Sequence, residues 1–341
     1  MRVLVTGANG HLGFTLVEQL RDAGHQVRAG VRHLSDPART ARLKTLRSVE
    51  TVLADLDQPS SLRHAMTGVE VLLHAAAVYS LCDPARTGET LRASTTGLEA
   101  AMRAAAEAGV RKVVLTSSVL TVPLTRPDAP PSTEGDWTQD TRVPYVRAKT
   151  EGERLAWALA AELGLKLVTI LPGSIGGPGF ARNTPTIDLI ETMMKGGFRA
   201  GVPSFNLPYV DVRDVARAHR LPAEADDVAG RFIVVNDELP RFRDLLLTMG
   251  TLDARVKPPL ATLPDWMLPA VPVFDCLNAR TLGTPRTASR QMIGMMRSRC
   301  YNASNRRARE VLGWRPQVSL ARSLKDTMNV LRRRSGEPEL Q

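Results

Sequence analysis

Tyr145-Val146-Arg147-Ala148-Lys149 opens a strongly helical segment, which puts a phenol and an ammonium four residues apart on one helix face. An ammonium near a phenol favours the phenolate, so the pair suits proton transfer with a carbonyl or carbinol oxygen. The spacing is also that of an ordinary surface pair on a helix. A third element, Thr116-Ser117-Ser118, ends a β-branched run. Open α/β sheets bind ligands at that edge, where Ser118 would hold a substrate oxygen beside Tyr145. Ser117 is the alternative, because neighbouring strand residues point to opposite faces.

A second constellation lies at the amino end. Thr6-Gly7-Ala8-Asn9-Gly10-His11-Leu12-Gly13 follows a first strand and opens a helix. Glycines at 7, 10 and 13 permit a tight turn, close approach of backbone N–H groups to a pyrophosphate, and close helix packing. The strand–turn–helix setting points to a dinucleotide site, with a structural glycine-rich turn as the alternative. An NAD-preferring site usually offers a carboxylate to the adenosine ribose after the second strand, but Arg28-Ala29-Gly30-Val31-Arg32 stands here. Arg32 fits a 2′-phosphate, which favours NADPH with NAD as the alternative; a solvated bystander arginine would look the same. Asp55, followed by Leu56, is placed to meet the adenine, and Ala75-Ala76-Ala77 gives a floor on which a cofactor lies close.

These residues need a parallel sheet to position them. Strands are expected at 3–6, 26–32, 49–54, 71–74, 112–116 and 166–171, alternating with helices at 11–23, 60–66, 90–108 and 145–163. Gly24, Gly68, Gly109 and Gly164 each follow a helix, where a left-handed cap suits glycine. After Pro172 the pattern loosens into helical stretches at 186–195 and 212–219, a strand at 231–235, and a Pro- and Met-containing region over 258–300. The expected architecture is α/β, a doubly wound parallel sheet over 1–175. A smaller, mainly substrate-binding lobe follows over 176–335, with some segments returning to the sheet.

The 341 residues, 43% hydrophobic and 23% charged, hold a sizeable core and exclude a peptide or disulfide scaffold. Cys82, Cys276 and Cys300 lie far apart, which argues for a reducing compartment and against a metal site. A first strand beginning almost at Met1 leaves no room for a leader, so a cytoplasmic location is expected. No apolar run is long enough to span a membrane; Leu260 to Phe274 is interrupted by Pro264, Pro269 and Pro272. The net charge of +10 suits nucleic acid, an anionic membrane surface or an anionic cofactor, and aromatic residues at 4% argue against base stacking and nucleic acid.

Taken together the motifs resemble the extended short-chain dehydrogenase/reductase family of NAD-dependent epimerase/dehydratase type. The resemblance runs over about the whole chain, through the glycine motif, Asp55-Leu56-Asp57, His74-Ala75-Ala76, Thr116-Ser117-Ser118, Tyr145 to Lys149, Leu171-Pro172-Gly173, Val210 to Ala216 and Leu312 to Pro316. It implies a Rossmann fold, Tyr145 as general acid/base, Lys149 also holding the nicotinamide ribose, Ser118 polarising the carbonyl, and Pro172 beginning the segment along the nicotinamide. Arg28 to Arg32 and Leu171-Pro172-Gly173 look most like dihydroflavonol 4-reductase-like and hopanoid-associated members. Ser94 stands where many members carry asparagine, so that residue's proton relay is not expected.

The expected activity is NADPH-dependent reduction of a ketone or aldehyde on a moderately hydrophobic small molecule, or the reverse alcohol oxidation. Alternatives are a nucleotide-sugar epimerase or dehydratase with tightly bound NAD(P), and a non-catalytic NADP(H) sensor. His74 and His219 read as packing or hydrogen-bonding residues, and Asp211 and Asp214 as helix-start structure. The alanine-rich helices at 94–108 and 148–161 would let two subunits pair as a homodimer, or pack under the chain's own loops. Residues 286–315 hold eight arginines against one acid, with methionines between Arg290 and Arg297. That composition suits a substrate entrance in weak peripheral contact with anionic lipid, or a Met-packed helix with solvated arginines.

Overall fold

The structure, a computed structural model, describes every residue except Cys82, Leu282, Thr284 and Pro285, so the reading of Cys82 lies outside the described residues. The first half alternates β1 (Arg2–Thr6), α1 (His11–Asp22), β2 (Gln26–Val31), α2 (Pro37–Lys44), β3 (Val49–Leu53), α3 (Pro59–Met66), β4 (Val71–His74), α4 (Thr87–Ser94), α5 (Thr96–Glu107), β5 (Lys112–Thr116), α6 (Pro144–Leu163) and β6 (Lys166–Pro172). There follow β7 (Ser174–Gly176), α7 (Pro185–Met194), β8 (Val202–Pro203), β9 (Tyr209–Asp211), α8 (Val212–Glu224), β10 (Gly230–Val234), α9 (Phe242–Leu252), β11 (Thr262–Leu263), α10 (Val271–Thr281), α11 (Arg290–Met296), α12 (Arg306–Leu312) and α13 (Leu320–Arg334).

Seven strands form one parallel sheet in the order β10-β6-β5-β4-β1-β2-β3. Alternate residues of each strand feed opposite faces. Val3, Val5, Val71, Leu73 and Val114 pack under α1 and α8, while Leu4, Leu72, Val113 and Leu115 pack under α3, α5 and α6. The strand order reverses between β1 and β4, which opens a crevice at their carboxyl ends. Late segments return to this core: Trp314 is fully buried there and donates through Nε1 to the Asp214 carbonyl at 2.8 Å. A second apolar cluster joins α7, α9, α11 and α13 with Tyr145 and Tyr209.

The structure divides one expected helix. The 90–108 segment breaks at Thr95 (φ −117°, ψ −85°) into α4 and α5. A Cβ on Gly152 would come within 2.4 Å of the Ser94 carbonyl oxygen, so α4 rests directly on α6, whereas α5 turns to bring Gly97 against Leu56. Ala101, Ala104, Ala105, Ala156 and Ala160 are buried within the chain, so these small residues are used inside it.

Between α6 and the sheet lies a carboxylate without solvent contact. Glu153 accepts from Ser117 Oγ at 2.7 Å, Thr169 Oγ1 at 2.7 Å and Arg231 Nε at 2.9 Å, which ties α6 to β5, β6 and β10. Arg231 continues outward, donating to the carbonyls of Glu134 and Asp136 and to Thr121 Oγ1, with its guanidinium 3.7 Å from the Trp137 ring. The ion pair therefore holds the 119–137 connection onto the sheet edge. Three buried histidines, His11, His74 and His219, sit near the same edge, and burial pushes each down to about 4.

Arg231→Met leaves Glu153 charged without its cation and should cost about 3–5 kcal/mol in urea unfolding, the usual loss when one partner of a buried pair is removed. An unchanged midpoint would show the pair to be dispensable. Stability should also fall on acidification. The unfolded chain binds more protons than the folded one between the histidines' ordinary 6.5 and their folded value of about 4, so the urea midpoint should rise with pH across that window. A flat midpoint there would contradict burial of neutral imidazoles.

Candidate active site

α6 begins with Pro144 in its first turn after an extended Val143, which fixes the helix start beside the end of β5. Tyr145 and Lys149, one turn apart, are both buried. Lys149 Nζ donates to the Thr116 carbonyl at 2.9 Å, and the Tyr145 hydroxyl is hydrogen-bonded to Ser118. Ser118 Oγ also accepts from the Leu120 N–H at 3.2 Å, which fixes its rotamer. Ser117 points the other way, to Glu153. The two serines left open by strand alternation thus have separate surroundings, and only Ser118 is beside the phenol.

The electrostatics differ from the expectation based on spacing. Burial holds the Tyr145 hydroxyl well above its ordinary value, the nearby Tyr79 adds to this, and the Ser118 hydrogen bond opposes it. Desolvation sets the direction, and Tyr145 is a phenol at neutral pH. Burial likewise brings Lys149 down to about 8, with Glu153 pulling it back up. His219 Nδ1 lies 2.8 Å from the Val215 carbonyl, which can only accept, so Nε2 is the unprotonated nitrogen and takes the Thr116 hydroxyl proton at 2.8 Å. His74 Nδ1 is 3.0 Å from Thr6 Oγ1. Both histidines brace the sheet edge. Asp211 and Asp214 are likewise structural: Asp211 caps α8 through the Arg213 N–H, and Asp214 accepts the backbone N–H groups of Gln317 and Val318.

The glycine motif occupies the crevice between β1 and β4. Gly7 has φ +67°, and a Cβ there would lie 2.8 Å from Ala76 Cα; a Cβ on Gly13 would lie 2.1 Å from the Gly7 carbonyl oxygen. Gly10 caps α1 without a side chain and no acid stands in the first turn, so the helix's free N–H groups and positive end face outward beside Asn9. This cradle fits the pyrophosphate of a dinucleotide. Leu12 is buried on α1, and Ala75 and Ala76 continue from β4, with the Ala76 N–H on Thr6 Oγ1. Arg32 is exposed just beyond β2, with Nη1 3.4 Å from Glu89, which it shares with Arg86. Asp55 is buried after β3, where its carboxylate accepts from the Asp57 N–H and Gln58 Nε2, and Leu56 packs against α5 at Gly97. Pro172 ends β6 opposite Val234. Lys149 shares the wall of a cavity of about 20 Å³ with His74 and Ser94, room for one water.

A larger cavity, about 1000 Å³, opens from Ser118 and Tyr79 into the second apolar cluster, with Leu120, Phe205, Phe242 and Met292 on its walls. Tyr79 is the residue that motif reading misses. Its ring lies 4.8 Å from that of Tyr145 and lines the cavity. Its one sequence signal is an aromatic two positions beyond the small-residue run 75–77.

Comparison with known proteins agrees with this architecture. Residues 3–236 match the model of the NAD dependent epimerase/dehydratase family. The chain is 34% identical over 283 residues to sterol demethylase protein B of Methylococcus capsulatus, covering 82% of this chain and 83% of that one. It is 36% identical over 199 residues to dihydroflavonol 4-reductase of Zea mays, covering 54% and 55%. The crystal structure of gox2253 superposes over 98% of this chain and 99% of its own, with a TM-score of 0.82 and 28% identity. With its parallel sheet, glycine cradle and matched length, the chain belongs to the NAD-dependent epimerase/dehydratase family of extended short-chain dehydrogenases/reductases, and is an NAD(P)-dependent oxidoreductase.

Proposed function

We propose that this protein is an NADPH-dependent reductase of a ketone or aldehyde on a hydrophobic small molecule, with Tyr145 as proton donor. The observation that carries the reading is a buried, protonated Tyr145 hydrogen-bonded to Ser118, which itself lines an apolar cavity. Reduction needs a proton delivered to the nascent alkoxide, and a phenol kept neutral by burial is in the right state to give it. Ser118 would donate its hydroxyl proton in a hydrogen bond to the carbonyl oxygen and orient it toward Tyr145. Lys149, with its Nζ already aimed along the end of β5, would hold the nicotinamide ribose and return positive charge beside the phenol. NADPH, when bound, supplies the hydride. Residues Gly7, Asn9, Gly10, Leu12, Gly13, Asp55, Leu56, Ala75, Ala76 and Pro172 would line its path, and Arg32 would meet its 2′-phosphate.

The cavity favours reduction of an apolar molecule over nucleotide-sugar chemistry. Three arginines reach its wall, but Arg86 is paired with Glu89, Arg199 donates to the Pro258 carbonyl and Arg286 is bonded to Asp275. A diphosphate would have to compete for each of them. Relatives named for sterols and dihydroflavonols support the same substrate class.

Tyr145→Phe removes one hydroxyl and little packing, so NADPH binding should survive while turnover of a responsive carbonyl falls by about 10² to 10⁴. Turnover close to that of the unaltered protein would exclude Tyr145 as the proton donor. Arg32→Ala should raise the Kd for NADPH more than for NADH, since only NADPH presents the phosphate. Equal weakening of both cofactors, measured by fluorescence titration, would reduce Arg32 to a surface residue.

A further inference from the structure

α10 is turned inside out. Its one acid, Asp275, is buried, where it accepts from Arg286 Nε at 3.0 Å and from the Thr287 N–H at 2.9 Å. Three of its large apolar side chains are exposed instead: Val273 is 62% exposed, Phe274 55% and Leu277 55%. The adjoining turn adds Trp266 at 74%, and Leu260 is 72% exposed. Five of the eight exposed large hydrophobic side chains among the described residues thus fall within 260–277, too concentrated to be the scattered apolar residues of an ordinary surface. Leu260 and Phe274 also line the large cavity, so the patch surrounds an opening of that cavity to the outside.

The charge around the patch selects its occupant. Residues 257–299 contain six basic side chains and two acids. Both acids are engaged, Asp275 with Arg286 and Asp265 with the hydroxyls of Ser204 and Ser298. Lys257, Arg280, Arg290 and Arg297, which fall in or beside the same stretch of chain, are exposed. A second copy of the chain would bring the same cations against them and be repelled. An anionic bilayer offers both a complementary charge and an apolar layer for Trp266, Val273 and Leu277 to enter.

We infer that the face carrying Leu260, Trp266, Val273 and Leu277 docks on an anionic lipid surface, with the apolar cavity opening toward the bilayer. α11 places Met292, Ile293 and Met296 on the cavity wall, while Arg290 at its start and Arg297 just past its end are exposed, so the same short segment serves both surfaces. Docking of this kind would pass an apolar molecule between bilayer and cavity without crossing water. That last consequence rests on the proposed reductase activity; the docking itself does not.

The test uses the full chain, without substrate, and vesicles of phosphatidylcholine alone or mixed with phosphatidylglycerol. Co-sedimentation should show binding to the anionic vesicles, weak binding to the neutral ones, and loss with added salt. The triple change Trp266→Ser, Val273→Ser, Leu277→Ser and the pair Arg280→Glu, Arg290→Glu should each weaken binding at least about tenfold. Reduction of a soluble carbonyl should persist in both variants, since none of these side chains lines the cavity. Absence of binding to anionic vesicles, or unchanged binding by both variants, would overturn the inference. So would lipid-free dimerisation of the unaltered chain that the triple change abolishes. Vesicle binding by a protein that reduces no carbonyl would overturn the proposed activity and leave the docking standing.

Discussion

The Glu153–Arg231 pair is the constraint on which the site depends. Removing two charges from water is costly, and the cost is offset here because Glu153 also accepts hydrogen bonds from two hydroxyls and Arg231 also donates to two carbonyls and Thr121. Those additional bonds have consequences for function. The bond to Ser117 turns that serine into the interior and leaves its neighbour, Ser118, facing the phenol. The carboxylate lies one helical turn past Lys149 and supports the positive charge that burial would otherwise remove. The guanidinium fixes the connection that carries Val119 and Leu120 to the cavity wall.

The two halves of the site are built on different physics. The proposed cofactor cradle is a matter of backbone: a positive φ at Gly7, the absence of a Cβ at Gly13 and an uncapped helix end leave donors free and space open. The proposed reacting centre is a matter of desolvation. Burial keeps the phenol protonated and three histidines neutral, so few groups near the sheet edge change charge near neutrality. Lys149, brought to about 8, is the exception, and it sits where cofactor and phenol would both feel its charge.

Much of this was legible in the sequence where a residue type is tied to one backbone requirement. Strands covered on both faces read as continuous apolar runs, and the turn glycines and the Tyr145–Lys149 spacing mark their places without tertiary information. What could not be read depended on distant partners. The break at Thr95 follows from contacts of Ser94 with Gly152 and of Gly97 with Leu56. The upward shift of Tyr145 follows from packing that a four-residue spacing does not encode. α9 and α13 lie in the loosely patterned second half; α13 is fixed by Ser323 and Thr327, which bond to Tyr209 and the Gly177 N–H. The arginine-rich run over 286–315 divides on folding, with Arg286, Arg306 and Arg309 in ion pairs and Arg290 and Arg297 left at the surface.

The central claim is net reduction, with the proton from Tyr145 and the hydride from the cofactor. It is tested most directly by incubating the enzyme with NADPH deuterated at the transferable position of the nicotinamide and a panel of hydrophobic ketones and aldehydes. The account predicts one cofactor oxidised per alcohol formed, with deuterium on the new carbinol carbon. Conversion of an offered sugar nucleotide without net cofactor oxidation, and no deuterated alcohol from any carbonyl, would contradict it.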